Sequence, residues 1–243
     1  MRLGAALTVV SISFLIGIAA SHSSFAAGGS DIVPEKVSPD RHFHPKGKEP
    51  SSHTLKALDK ARGTLPFDDT RDFDEEKKGF IAAPASKVIR GEDGNVVFDL
   101  ERYDFFLEGK AFDSIHPSLQ RQSTLNMSYG LYEVMDGVYQ VRGFDLANIS
   151  FVKGDTGWII FDPLTSAETA RAALELVNQE LGEFPVRAVI YSHSHGDHWG
   201  GVRGVIDEAD VDAGKVEVIA PRDFMEHLVS ENVYAGNAMN RRL

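Results

Sequence analysis

Hydrophobic positions along this chain repeat with two different periods, and the first is that of β-strands. Between residues 129 and 161, short apolar stretches alternate with polar residues and are separated by turns at Asp136-Gly137 and Gly154-Asp155. The alternation predicts four strands, at residues 129–134, 138–141, 149–152 and 158–161. Because the turns between them are short, we expect these strands to form an antiparallel or mixed sheet.

The period then changes to that of a helix. Thr165 and Glu168 have the spacing of a capping box, and Gly182 stands where the helix would end. Apolar residues recur between these limits at helical spacing, at Ala170, Ala173, Leu174, Val177 and Leu181. The apolar run at 186–191 then predicts a strand buried on both faces. A strand, a helix and a second strand in this order predict a βαβ unit.

Weaker patterns flank this region. Residues 87–89 and 95–98 lie on either side of a turn and predict a hairpin, and a short helix is expected near 52–62. Three further elements are predicted after the βαβ unit: a helix from Gly200-Gly201, a strand at 216–219, and a helix at 223–242 with a weak point at Gly236.

Residues 1–27 have the pattern of a secretory signal peptide. Arg2 supplies a basic start, residues 7–20 are almost all apolar, and Ser24-Phe25-Ala26 resembles a small-x-small cleavage site. The apolar run is shorter than the about 20 residues that a membrane-spanning helix needs, so a signal peptide is favoured over an anchor. We therefore expect a periplasmic or secreted protein with no stable membrane span.

Residues 28–79 are predicted to form an N-terminal arm, and residues 80–243 the folded domain. The arm is rich in proline and polar residues, and its charged run at 68–78 is typical of a solvated surface. His42 and His44 form an H-x-H pair, but no nearby acid or histidine completes a metal site.

The composition of the chain argues against nucleic acid as a partner and against thiolate groups as metal ligands. The net charge is −11 and becomes about −12 without residues 1–27, and we see no basic patch, so nucleic acid is not an expected partner. The chain contains no cysteine. Any metal ion must therefore be bound by histidine and carboxylate side chains.

The densest group of such side chains lies in the sequence YSHSHGDHWGG at residues 191–201. His193 and His195 share one side of an extended chain and can bind one metal ion. After the glycine that follows, Asp197 and His198 can face a second point nearby. Imidazole and carboxylate suit zinc, and two zinc ions about 3.5–4 Å apart can share a hydroxide. Asp197 is both a predicted ligand and the predicted catalytic residue.

Asp162 ends the predicted strand at 158–161 and precedes Pro163, so it should lie near the same sheet edge. Two roles remain open from the sequence. Its carboxylate could orient a metal ligand, or it could bind loop amides and have no part in the site.

The sequence from His193 to His198 resembles the H-x-H-x-D-H signature of the metallo-β-lactamase superfamily. Four other stretches resemble the zinc alkylsulfatases, exported enzymes that hydrolyse alkyl sulfates: PSLQRQ at 117–122, GVYQVRG at 137–143, GDTGWIIFDPL at 154–164 and ENVYAGNAMNRR at 231–242. The resemblance extends from about residue 80 to the C-terminus.

This resemblance implies an α/β fold, a metallo-β-lactamase-like αββα sandwich of which the chain would be the N-terminal part. It implies two Zn²⁺ ions per site in the complete enzyme, one held by His193 and His195 and the other by Asp197 and His198. A small-molecule alkyl sulfate is the implied substrate, and the family pattern allows a homodimer of the full-length form.

The motif supplies too few ligands for the complete two-zinc site that the resemblance implies. Two zinc ions that share a ligand need about six ligand contacts, and the motif supplies four. Acids follow it up to Glu231, but they form no second recognisable motif. We therefore expect the chain to be a fragment of a longer enzyme or a shortened paralogue, with weak zinc binding and little activity. Two alternatives remain: a superfamily hydrolase of thioesters, lactones or β-lactams, and a non-catalytic zinc-binding fragment.

Overall fold

The computed structural model describes residues 49–241, so the predicted signal peptide and the His42/His44 pair lie outside the described residues. Within this range nine strands form a seven-stranded sheet and a separate hairpin. In chain order the strands are β1 (Phe80–Ala82), β2 (Val88–Arg90), β3 (Val96–Asp99), β4 (Gly130–Met135), β5 (Val138–Arg142), β6 (Ile149–Lys153), β7 (Trp158–Phe161), β8 (Val186–Ile190) and β9 (Glu217–Ile219).

The large sheet has the order β1-β4-β5-β6-β7-β8-β9. Strands β1 and β4 to β7 pair antiparallel, whereas β7, β8 and β9 pair parallel. Of the two predicted arrangements, antiparallel or mixed, the sheet has the mixed one, and the predicted hairpin is confirmed by β2 and β3. Gly137 has a φ of 73° in the turn between β4 and β5, a conformation that glycine adopts without strain.

One face of this sheet forms the core. Alternate residues of the central strands point into it, as the alternation predicted, and six of these side chains are fully buried: Leu131, Val141, Ile149, Phe151, Trp158 and Ile160. A fifteen-residue helix covers this face and buries Ala170, Ala173 and Val177 against it. The aromatic ring of Trp158 meets Phe151 and Tyr139 edge to face, at centroid distances of 6.0 and 5.9 Å.

The covering helix is one of seven α-helices in the described range. They are α1 (Ser52–Thr64), α2 (Arg71–Glu75), α3 (Pro117–Leu125), α4 (Ala167–Leu181), α5 (Glu208–Asp212), α6 (Phe224–Val229) and α7 (Gly236–Asn240), and a 3-10 helix spans Glu101–Glu108. The predicted helices at α1 and α4 are confirmed. Among residues 49–241, no helix combines the length and apolarity that a membrane crossing requires.

The capping box of α4 lies one residue later than predicted. Ser166 is the N-cap and Thr169 the N3 residue, in place of Thr165 and Glu168. The reason is a competing partner, because the Thr165 hydroxyl donates to Asp145 Oδ1 at 2.7 Å and its backbone N–H to Oδ2 at 3.0 Å. Thr165 is thereby held in the preceding loop, and Ser166 takes the N-cap position of α4.

The prediction that β8 is buried on both faces was wrong. Val189 is fully buried on the α4 side, but Ala188 and Ile190 point to the opposite face and are only half-buried. On that face the neighbouring edge strand β9 leaves Ile219 44% exposed. The apolar run therefore predicted the strand correctly, but it did not predict how far each face of the strand is buried.

The helix predicted from Gly200-Gly201 is also absent from the described structure. Only a 3-10 turn at Val202–Gly204 follows these glycines before α5. The three glycines in this stretch bring the backbone into close contact with residues 163–167, and a Cβ on any of them would collide with a carbonyl oxygen there. Glycine also has a low intrinsic helix propensity. Close backbone packing and low helix propensity therefore both disfavour a helix at this position.

The predicted C-terminal helix is divided. After α6 the chain forms a π-helical turn at Ser230–Tyr234 and then α7, with the break just before Gly236. The predicted strand at 216–219 is confirmed as β9. The described residues thus form one helix layer and one sheet layer of the predicted α/β sandwich.

Candidate metal centre

The predicted metal-binding residues lie at the carboxyl edge of the two central parallel strands. Phe161 at the end of β7 pairs with Ile190 at the end of β8, so the residues that follow both strands meet at one edge. Asp162 follows the first strand, and the loop that contains His193 follows the second. In α/β sheets this edge is where ligands usually bind.

The three histidines of the motif come together in this loop. The ring centroid of His193 lies 4.5 Å from that of His195 and 4.1 Å from that of His198. Asp197 and His198 lie on a 3-10 turn at Gly196–His198, which the His198 N–H closes by donating to the His195 carbonyl at 3.0 Å. All four side chains predicted from the sequence are therefore neighbours.

Asp162 contacts both the backbone of the motif loop and one of its histidines, and orientation of a metal ligand by Asp162 stays a prediction. It accepts hydrogen bonds from the Ser192 backbone N–H at 2.7 Å and from the Ser192 hydroxyl at 2.6 Å, so it binds two hydrogen-bond donors of the loop. Its Oδ2 also lies 2.9 Å from Nδ1 of His198. The φ of Asp162 is 54°, in the left-handed region that aspartate tolerates better than most residues.

Two further contacts leave particular ring nitrogens available. Ser192 Oγ lies 2.9 Å from Nδ1 of His193. This contact leaves Nε2 as the ring nitrogen of His193 that could bind a metal ion. His198 Nε2 lies 3.4 Å from Asp197 Oδ2. Two ligands of one tetrahedral zinc are roughly 3.3 Å apart, given metal–ligand distances of about 2.0–2.2 Å. The separation of Asp197 and His198 therefore fits a shared zinc ion.

The donor atoms as a whole fit zinc in chemistry, since they are imidazole nitrogens and a carboxylate. Within residues 49–241, however, no three His, Asp or Glu side chains are arranged around one point as in an assembled metal site. The structure thus confirms that the four residues are close, while their grouping into two zinc sites stays a prediction.

Glu231 is the neighbour of this group that the sequence did not single out. Its Oε1 lies 3.1 Å from Nε2 of His195. From the sequence, Glu231 is one of several acids after the motif, because no ligand spacing connects it to the histidines. The one available signal was its position at the start of the stretch 231–242, which carries part of the family resemblance.

A rigid scaffold supports the motif loop. The indole N–H of Trp199 donates to the Ser194 carbonyl at 2.9 Å, and the Gly201 N–H donates to the Leu164 carbonyl at 2.9 Å. Asp145 accepts hydrogen bonds from the hydroxyl of Thr165 in the loop after β7 and from that of Thr169 in the first turn of α4, each at 2.7 Å. These contacts connect the two loops that carry the site.

A cleft of about 1080 Å³ lies away from this site, and none of the motif residues lines it. Three arginines contribute to its wall, but each already has partners: Arg71 binds Asp69, Arg121 binds Asp72, and Arg142 binds Gln140. Two of these guanidinium groups are thus paired with carboxylates, whereas Arg142 hydrogen-bonds to uncharged oxygens of Gln140 and Glu76.

Comparison with known proteins shows which proteins this chain is similar to. Residues 142–241 match the model of the metallo-beta-lactamase superfamily. The chain is 54% identical over 196 residues to a linear primary-alkylsulfatase from Pseudomonas sp, which covers 80% of this chain and 29% of that protein. It is 46% identical over 195 residues to an alkyl/aryl-sulfatase from Saccharomyces cerevisiae, with coverage of 80% and 30%.

A solved structure supports the same assignment. The stereoselective inverting sec-alkylsulfatase from Pseudomonas sp. matches with a TM-score of 0.74 and 51% identity, over 80% of this chain and 31% of that one. The chain thus spans about 30% of the length of the relatives that it matches. It carries a metallo-beta-lactamase superfamily domain and is homologous to the alkylsulfatases over about four fifths of its own length.

Proposed function

We propose that the loop from His193 to His198 binds zinc for the hydrolysis of alkyl sulfate esters. One observation carries this proposal. Three imidazoles and a carboxylate cluster at the carboxyl edge of β7 and β8, in a chain that is 46–54% identical to three alkylsulfatases. The relatives are more than three times as long as the matched region, so the activity, the substrate and the two-zinc site are proposals for the whole protein.

The contacts of each side chain support a division of roles. His193 and His195 are assigned to one zinc ion, and Asp197 and His198 to the other. Asp162 holds His198 through Nδ1, and Ser192 holds His193 through Nδ1, so that Nε2 of both rings is left for a metal. Hydrogen bonds of this kind fix the tautomer and the orientation of metal-binding histidines.

When bound, zinc supplies a Lewis acid that makes water nucleophilic near neutral pH and polarises an ester oxygen. The hydrolysis adds water to an alkyl sulfate and yields the alcohol and hydrogen sulfate. Asp197 carries a second carboxylate oxygen that can accept a proton from the attacking water, which is the basis for its catalytic assignment. The net charge of −11 repels a sulfate anion, so binding of the substrate depends on local positive charge at this site.

The experiment measures sulfate release from dodecyl sulfate by the 243-residue chain, with added zinc and with a chelator. Because the motif supplies four of about six ligand contacts, we expect a slow reaction that needs zinc and is lost in His193→Ala. A thioester, a lactone and a β-lactam are assayed in parallel. Turnover of one of these without any release of sulfate would contradict the proposed substrate class.

Export is a separate proposal, which rests on the pattern of residues 1–27. We infer that the protein acts in the periplasm or outside the cell, where alkyl sulfates would reach it without crossing the inner membrane.

A further inference from the structure

The carboxylate of Asp145, in the loop between β5 and β6, accepts four hydrogen bonds. Its Oδ1 accepts the Thr165 hydroxyl at 2.7 Å and the Leu146 N–H at 2.6 Å. Its Oδ2 accepts the Thr165 backbone N–H at 3.0 Å and the Thr169 hydroxyl at 2.7 Å. A carboxylate has about four lone-pair positions, so these donors use its whole accepting capacity. Three of the four donors belong to the segment that follows β7.

This segment begins with a turn at residues 162–165, in which two residues have the left-handed backbone conformation. The φ of Asp162 is 54° and that of Leu164 is 62°. Residues with a Cβ rarely adopt this conformation, and leucine has no polar side-chain atom that could bond to its own backbone. Such a backbone persists only where the surrounding structure holds it. The turn 162–165 therefore depends on contacts with other parts of the chain.

The motif loop contacts this turn at both of its ends. At the first end, Asp162 accepts two hydrogen bonds from Ser192. Further along the loop, Asp162 Oδ2 lies 2.9 Å from Nδ1 of His198, and the Gly201 N–H donates to the Leu164 carbonyl at 2.9 Å. A change in the shape of the turn would therefore move the groups that contact the motif loop.

Two contacts hold the turn in place. The side chain of Leu164 is fully buried in the core and holds the middle of the turn. Thr165 is exposed at its end, and there both the hydroxyl and the backbone N–H donate to Asp145. The position of Thr165 thus depends on the carboxylate from the loop between β5 and β6.

We propose that Asp145 is a positioning residue that holds the turn 162–165 in the conformation in which Asp162 faces Ser192 and His198. The inference rests on the zinc site of the proposed function and adds to it a residue from a third loop. Its consequence is that zinc affinity depends on a carboxylate that contacts none of the predicted ligands.

A role in starting α4 is the alternative, since Thr169 belongs to the first turn of that helix. The helix has its own cap, however, because Ser166 Oγ accepts the Thr169 backbone N–H at 3.2 Å and the Thr169 hydroxyl lies 3.0 Å from the Ser166 carbonyl. Two of the three hydrogen bonds from this segment to Asp145 come from Thr165, which precedes the N-cap. The contacts therefore favour the turn over the helix.

The first test needs no metal and follows hydrogen exchange of single amides in the full chain by NMR. The Ser192 and Gly201 amides donate to the turn 162–165, and the Phe151 amide in the central strand β6 serves as the reference for global unfolding. In Asp145→Ala we expect the protection of Ser192 and Gly201 to fall about tenfold relative to Phe151, which corresponds to the loss of about one hydrogen bond.

Two matched substitutions separate the turn from the helix. Thr165→Val and Thr169→Val each remove one hydroxyl that donates to Asp145 at 2.7 Å. We expect Thr165→Val to lower the protection of Ser192 and Gly201 as Asp145→Ala does. Thr169→Val should lower the Tm and leave their protection relative to Phe151 unchanged. Thr165→Ser retains the hydroxyl and should behave as the wild type. Thr165→Val keeps the test available if Asp145→Ala does not fold.

The second test measures zinc affinity by competition with a chromophoric chelator. Loss of support for a metal-binding histidine typically lowers affinity by about 10–100-fold, so we expect this loss in Asp145→Ala and Thr165→Val. We expect the affinity of the wild type in Thr169→Val and Thr165→Ser.

These results separate the new proposal from the proposed function. Unchanged protection of Ser192 and Gly201 in Asp145→Ala would overturn the positioning role. Equal losses in Thr165→Val and Thr169→Val would also overturn it, as would lower protection with unchanged zinc affinity. A wild-type chain without measurable zinc binding would instead contradict the zinc site, and the metal-free exchange would still decide whether Asp145 holds the turn.

Discussion

Asp162 Oδ2 lies 2.9 Å from Nδ1 of His198, and this contact joins the end of β7 to the loop after β8. The same carboxylate accepts two hydrogen bonds from Ser192. Asp162 therefore binds the motif loop at both of its ends, and it does so from the left-handed backbone conformation with a φ of 54°. The strain that such a conformation carries is offset by these three contacts.

Replacing Asp162 should weaken zinc binding without removing a ligand. For Asp162→Ala we expect a loss of about 10–100-fold in zinc affinity, because His198 loses the acceptor that orients its ring. Zinc competition against a chelator measures the effect. The control is Asp155→Asn, since Asp155 is an exposed residue of the turn between β6 and β7. An unchanged zinc affinity in Asp162→Ala would show that His198 does not need its contact with Asp162 in order to bind zinc.

Replacing the predicted ligands should lower the zinc content directly. We expect His193→Ala and His195→Ala each to bind less zinc, because each variant loses one imidazole ligand and the chain has no cysteine that could replace it. Elemental analysis of the purified variants measures the content. His227→Ala, at an exposed position on α6, and His42→Ala should bind as much zinc as the wild type. Equal losses in all four variants would mean that the ligands are wrongly assigned.

Gly201 should tolerate no side chain. A Cβ at this position would collide with the carbonyl oxygens of Pro163 and Ser166, which are backbone atoms and cannot move aside cheaply. We expect Gly201→Ala to lower the free energy of unfolding by about 1–3 kcal/mol, measured by urea denaturation. Gly63→Ala in α1 is the control, because no atom lies within 4 Å of the added Cβ, and there we expect a gain of up to about 1 kcal/mol. Equal effects at both positions would contradict the contact.

The ion pair between Arg121 and Asp72 should make stability depend on pH. The hydrogen bond from the Arg121 guanidinium lowers the pKa of Asp72 below its ordinary value of 3.8. A lowered pKa in the folded state means that the carboxylate stabilises the fold above about pH 3.8 and that this contribution is lost as the pH falls through the lowered pKa.

Asp72→Asn tests this relation. We expect its Tm to be below that of the wild type at pH 7, and the difference to shrink as the pH falls below 3.8, when Asp72 of the wild type also becomes neutral. Circular dichroism at several pH values follows the difference. Asp74→Asn serves as the control on the same helix, since Asp74 is exposed. A difference between Asp72→Asn and wild type that stays constant down to pH 2 would exclude the ionised carboxylate as its cause.

The mature protein should begin at Ala27 or Gly28 after export. The expectation follows from the basic, apolar and small-residue pattern of residues 1–27. Mass spectrometry of periplasmic material from a bacterial host identifies the N-terminus. Soluble cytoplasmic protein that retains Met1 would contradict it.

The sequence alone determined the strands β4 to β9 of the large sheet, the helix α4 and the four residues of the metal motif, whereas the edge strand β1 was not predicted. These features are local, because the side chains of a strand alternate between its faces and those of a helix recur about every 3.6 residues. The spacing of His193, His195, Asp197 and His198 is likewise local, so their proximity could be predicted before any fold was known.

Only the tertiary structure decided the partners of these residues. Asp162 reaches His198 across 36 residues and Glu231 reaches His195 across the same number, and no periodicity connects positions so far apart. The cap of α4 moved to Ser166 because Asp145, 20 residues earlier, binds Thr165, and the helix expected after Gly200 gave way to close backbone packing. Such contacts depend on how strands and loops meet in space, which parallel pairing of β7 and β8 settles and local sequence does not.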